Sequence, residues 1–210
     1  MHSYCSGRTF RHKKQQSVSD FKADDFMSYT SFASSITQKG GNMILSLLFN
    51  WFTLPILFIL HDFEEMILVP FWKRSERFQR NPKFWHYFGD TKNGAVFSIG
   101  VLEEFLILLL VSALCAAKDN GRLYLCFLTA YSFHFLIHLK MCLSYHAYVP
   151  GIVSCLLQLP IMGILIRHYF VLDLMTFVLF VLTMLIVFGN LFLMHRLMPK
   201  WEAQLNRIFR

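Results

Sequence analysis

Residues 171–194 read VLDLMTFVLFVLTMLIVFGNLFLM, and only Asp173, Thr176, Thr183 and Asn190 interrupt an apolar run. An α-helix rises about 1.5 Å per residue, so about 20 apolar residues cross the hydrocarbon core of a bilayer. A transmembrane strand would instead alternate in polarity over about ten residues. This stretch does not alternate, so it reads as a membrane-spanning helix.

The same reading extends backwards through the chain. Long apolar segments recur at 50–72, 94–117, 122–145, 150–168 and 171–195. The fold class is therefore all-α: a polytopic transmembrane bundle of about five helices. Residues 1–41 are polar, Ser-rich and basic, and lack the apolar surface that offsets the entropy of ordering, so they read as a flexible tail. No apolar core with a small-residue cleavage site follows their bases, which argues against a signal peptide. The expected division is a tail over 1–41, a helical membrane domain over 42–198, and a short basic tail over 199–210. Pro150 is expected in the first turn of the fourth span, Pro160 to kink it, and Pro55 to bend the start of the first.

Composition agrees. Of 210 residues, 55% are apolar and only 16% charged, against about a quarter charged in ordinary soluble domains. This excludes a disordered chain and an ordinary soluble enzyme. The formal charge of +7 does not imply nucleic acid, because the bases gather at the ends of apolar segments. Residues 73–88, KRSERFQRNPKFWHYF, interleave bases with aromatics as a juxtamembrane loop does. With Lys92, this loop carries more bases than the later loops. It and the C-terminal bases Arg196, Lys200, Arg207 and Arg210 are expected on the inner side, with the N-terminus outside. The basic N-terminal tail opposes that orientation. The five cysteines form no CxxC pair and read as free thiols.

The informative residues are those that an apolar span should not contain. The first span carries His61, Asp62, Glu64 and Glu65, the second Glu103 and Glu104, and the third His134 and His138. A charge at mid-membrane costs about 2.5–3.5 kcal/mol on insertion scales, so such residues face a bundle interior and mark a functional site. All three groups lie near the middle of their spans. His61 and Glu65 are about 40° apart around the helix, as are His134 and His138, so each pair offers one face.

Imidazoles and carboxylates in a dry helical layer point to a divalent metal. The expected ligand set is His61, Glu64, Glu65, Glu103, Glu104, His134 and His138, and the mixed nitrogen and oxygen donors suit zinc, iron or manganese. His61, Glu64 and Glu65 are the candidate catalytic residues. A zinc hydrolase would use a spare Glu as general base. A di-metal oxidase would bridge two irons with carboxylates, as ferritin-like bundles do. Either would act on a lipid-soluble small molecule in the bilayer. The same residues also fit a proton- or cation-coupled carrier or channel, or a non-catalytic scaffold braced by a polar network. His146, His168 and His195 lie near span ends and read as interfacial, and Asn190 as an interhelical hydrogen bonder.

Several known motifs are absent: HExxH, the EExxxR of prenyl-protease-like membrane enzymes, the HxxHH clusters of desaturases, GxSxG and a Gly-rich phosphate loop. What is present is His61-Asp62-Phe63-Glu64-Glu65 inside a hydrophobic helix. In this the chain resembles the HXXEE-domain family of integral membrane proteins, over residues 50–195. The resemblance singles out His61, Glu64 and Glu65 and implies no established activity. Residues 59–68, ILHDFEEMIL, and 99–108, IGVLEEFLIL, are also alike around their Glu pairs, as a remnant of a helical repeat would be and as two short apolar helices also are by chance.

Overall fold

The computed structural model describes residues 41, 43, 45–80, 88–89, 91 and 93–209. The tail expected over 1–41, Cys5, and the loop residues Lys83 to Tyr87 lie almost wholly outside these. From Phe49 to the C-terminus the chain forms one unit. It contains α1 (Thr53–Trp72), a short α2 (Glu76–Arg80), α3 (Gly94–Lys118), α4 (Gly121–Tyr145), α5 (Ile152–Tyr169) and α6 (Leu174–Ile208). No strand occurs among the described residues. Five long helices thus stand where the sequence places five apolar segments, with ends shifted by a few residues except in α6.

The helix ends follow local chemistry. The side chains of Asn93, Asn120 and Asp173 accept from the amides of Ala95, Leu123 and Thr176, answering donors that each new helix leaves open. Asp119 and His146 adopt left-handed conformations that close α3 and α4. Asp119 and Asn120 therefore end one helix and start the next within two residues, making α3 and α4 a tight hairpin. Gly151, with φ of +91°, is the N-cap of α5. Pro150 consequently lies before the cap rather than in the first turn, while Pro160 sits inside α5.

α1 packs on α3 and α5, α4 on α5 and α6, and α3 on α6 and α4. These pairings close a ring of the five long helices around an apolar interior that holds a few buried polar side chains. Large apolar side chains such as Phe71, Leu157 and Leu185 are about two-thirds exposed on its outside. Helices α3 to α6 are each long and apolar enough to cross a membrane, which fits a multi-pass membrane protein. α1 matches them in length, at 20 residues, and differs by carrying three acids at its centre. Trp51 and Trp72 bracket it about 30 Å apart, roughly one hydrocarbon thickness. Trp51 packs against Tyr124 and Tyr169, and Trp72 against Phe78, Phe88 and Tyr145. Aromatic clusters at both helix ends match the interfacial belts of membrane proteins.

Two features depart from the sequence expectation. Lys73, read as a loop base, is fully buried at the end of α1, and its ammonium donates to the carbonyls of Phe88, Gly89 and Thr91. A long cationic side chain at the helix end thus answers three carbonyls of the segment that leads into α3. The basic segment 199–210 continues α6 as far as Ile208 with Pro199 inside the helix. Glu202 there accepts from the Thr91 hydroxyl at 2.7 Å.

Candidate metal centre

His61 and Glu65 stand one turn apart on α1, and His134 and His138 one turn apart on α4, so each pair projects from a single helix face. The structure brings all four together. Glu65 Oε1 lies 2.8 Å from His138 Nε2, 3.1 Å from His61 Nε2 and 3.5 Å from His134 Nε2. The Nε2 atoms of His134 and His138 are 2.8 Å apart. One donor atom from each of the four residues falls within 4.8 Å of all the others. His61, Glu65 and His138 are buried, and His134 is partly exposed.

The orientation is as informative as the distances. His61 Nε2 is buried without a hydrogen-bond partner, 3.1 Å from Glu65 Oε1. Buried polar atoms are nearly always paired, because an unanswered one costs about 1–3 kcal/mol. Lone pairs that converge without bonding to each other leave a place for a cation. Bonds of 2.0–2.1 Å in a tetrahedron put ligand atoms about 3.4 Å apart, inside the range from 2.8 Å to at most 4.8 Å spanned by these donors. The set can hold a metal ion.

α5 fixes the outer side of this group. Glu64, pointing away from Glu65, accepts from the backbone amide of Ser154 at 2.8 Å, its hydroxyl at 2.5 Å and the Tyr148 phenol at 2.6 Å. Its carboxylate therefore sits at the N-terminus of α5, where amides and the helix dipole favour an anion. Tyr148 lies in the α4–α5 loop; burial and the adjacent Glu64 carboxylate push its phenol up, keeping it a donor. Ser154 Oγ also lies 2.9 Å from His61 Nδ1. Its single hydrogen goes to Glu64 or to the Gly151 carbonyl, so it accepts from His61 Nδ1–H. That fixes the tautomer of His61, with Nε2 bare and aimed at the cluster. It also commits the Ser154 hydroxyl, which argues against a nucleophilic role for it.

Gly151 admits His138. A Cβ at this position would stand 2.5 Å from His138 Cε1 and 2.9 Å from Glu65 Oε1, and the positive φ favours glycine independently. Tyr131 donates to Gln158 Oε1, and the Gln158 amide donates to the carbonyl of Leu57, one turn before His61. This chain of bonds ties α4, α5 and α1 together beside the site.

On the opposite side the group borders a cavity of about 180 Å³ between α1, α3, α4 and α6. Glu65 and His134 lie on its wall, with Asp62, Glu104, Asn190 and His195, and most of the remainder is apolar. Of the seven residues in the expected ligand set, His61, Glu65, His134 and His138 thus converge. Glu104 lines the cavity beside them, Glu64 braces α5, and Glu103 accepts from Asn190 at 3.1 Å. Asn190 bonds between helices, as expected. His195 faces the cavity rather than the interface, His168 stacks on Phe49, and the His146 carbonyl accepts from Arg77.

The family model for "Protein of unknown function with HXXEE motif" matches residues 52–166. The chain belongs to this family. No curated protein and no solved structure matches the chain. The motif that names the family divides its work here: His61 and Glu65 face the cluster, while Glu64 holds α5 and, through Ser154, orients His61. The matched region takes in Gly151, Ser154 and Gln158, which sequence reasoning missed. Their only signal was a glycine followed three residues later by a serine at the start of the fourth span.

Proposed function

We propose that this HXXEE protein is a membrane-embedded, metal-dependent enzyme acting on a lipid-soluble substrate. One observation carries the reading: three imidazole nitrogens and a carboxylate oxygen converge, partly unbonded, on the edge of an apolar cavity within a helical bundle. His61, Glu65, His134 and His138 would hold the ion, and the donor set favours zinc, iron or manganese over calcium or magnesium. The ion would supply a Lewis acid to a group presented in the cavity. Asp62 and Glu104, on the cavity wall, are the side chains placed to take or return a proton. The apolar lining admits substrate from the bilayer and keeps bulk water out.

Metal analysis of the protein purified in detergent and reconstituted with zinc, iron and manganese in turn tests this. About one ion per chain is expected for the wild type, and less than about a tenth of that for His61→Ala and His138→Ala. A wild type with no more metal than these variants overturns the reading.

A proton- or cation-coupled carrier is the second reading. Its support is the set Asp62, Glu65, Glu104, His134 and His195 along one cavity, since mid-membrane acids and histidines also form proton relays. Proteoliposome flux across a pH gradient, lost in Glu104→Gln, would favour it over the enzyme.

A further inference from the structure

The cavity beside the metal group contains an unanswered acceptor. Asp62 is 6% exposed, lines the cavity, and its Oδ2 has no hydrogen-bond partner among the described residues. Asp62 is not one of the four converging residues, so a metal bound there does not account for it. A buried, unpaired carboxylate oxygen is retained at a cost, and that cost is relieved when a ligand brings a donor. Glu65 and Glu104 line the same cavity, so three acidic side chains border the space and a carboxylate ligand is disfavoured. Apart from Tyr131, His134, Asn190 and His195, the rest of the wall, including Phe58, Phe97, Val101 and Phe127, is apolar. About 180 Å³ exceeds the roughly 150 Å³ that accommodates benzene in an engineered protein cavity, so a group of about six to eight heavy atoms fits.

We infer that this cavity binds the end of an aliphatic molecule bearing a hydrogen-bond donor, an alcohol or an amine. The O–H or N–H is given to Asp62 Oδ2, and the adjoining methylenes lie on Phe58, Phe97, Val101 and Phe127. The head then sits on the wall shared with Glu65 and His134, next to the proposed ion. This names the substrate class for the enzyme reading and rests on that reading for the reaction, while the binding itself needs only the cavity.

The test uses the full chain in lipid nanodiscs with radiolabelled octan-1-ol, octylamine, octane and octanoate, corrected for empty nanodiscs. Octanol and octylamine are expected to bind saturably and about tenfold tighter than octane or octanoate, as one hydrogen bond provides. The tighter of the two identifies the head as hydroxyl or ammonium. Asp62→Leu should erase the preference while octane binding persists. A second variant, Val101→Phe, narrows the cavity from its apolar wall and should weaken all binding with Asp62 intact. Octane or octanoate binding as well as octanol in the wild type overturns the proposal, as does a preference that survives in Asp62→Leu. His138→Ala separates the two readings: it should lose metal yet keep the preference for octanol. A metal-free wild type that still selects octanol would end the metal reading alone.

Discussion

Glu64 and His61 never touch, yet the Ser154 hydroxyl joins them, 2.5 Å from one and 2.9 Å from the other. The adjacent glutamates of the motif consequently have different chemistry. Glu65 offers an oxygen to the cluster, and Glu64 sets the direction of the His61 ring from outside. Glu65→Gln should therefore reduce metal affinity by more than about a hundredfold, as loss of a ligand does. Glu64→Gln and Ser154→Ala should each lose about 10–100-fold, the usual effect of removing a partner that orients a histidine ligand. Chelator competition on purified protein measures all three. Equal losses for Glu64→Gln and Glu65→Gln would contradict this division.

Gly151 is the most constrained position near the cluster. Alanine there needs a left-handed φ of +91° and a Cβ inside contact distance of both His138 and Glu65. Gly151→Ala should cost about 1–3 kcal/mol of stability from the backbone alone and displace the His138 ring. Thermal unfolding in detergent and metal content should fall together. Gly163→Ala, inside α5 where the added Cβ meets nothing within 4 Å, is the control: it should leave metal content unchanged and lower stability not at all, since alanine favours a helix interior.

Much of this was legible in the sequence, for physical reasons. Apolar length alone located the five long helices, because a bilayer-crossing helix must satisfy its backbone internally and its outer face must be hydrocarbon. The i, i+4 spacing of His61 with Glu65 and of His134 with His138 likewise gave each pair its face. Periodicity could not say how α1, α3 and α4 rotate relative to one another. That rotation sends Glu103 to Asn190, leaves Glu104 at the cavity and turns Glu64 to α5. Nor does a serine or glycine at a helix start reveal that it orients or admits a histidine, since both residues are ordinary there. Lys73 was misread for the opposite reason. A lysine beside an apolar span usually faces water, and only the returning loop makes its burial favourable.

Lys73 holds that loop by three carbonyls. Lys73→Met keeps most of the aliphatic stem and removes every donor, so the carbonyls of Phe88, Gly89 and Thr91 lose their ammonium partner together. The expected loss is about 2–3 kcal/mol, with faster proteolysis between α2 and α3. Arg74→Met, at an exposed neighbour, should change neither. Unfolding and limited proteolysis on the two variants separate a buried clamp from a loop charge.

Asp173 supplies a pH test away from the cluster. It caps α6 by accepting from the Thr176 amide at 2.7 Å and pairs with Arg122 of α4 at 2.7 Å. The Thr176 bonds, with Arg122 adding to them, hold its carboxyl below the usual carboxylate range. A group whose folded pKa is depressed contributes stability above its unfolded value, about 3.9 for Asp, and loses it as pH falls through the folded value. The wild type should therefore be more stable than Asp173→Asn at pH 7. That difference should begin to narrow as pH drops below about 4 and vanish under the folded pKa. Arg122→Gln should leave most of the difference in place, because the helix cap rather than the exposed ion pair carries it. Melting temperatures of the three proteins across the acid range provide the measurement, and a gap that is the same at every pH would refute the linkage.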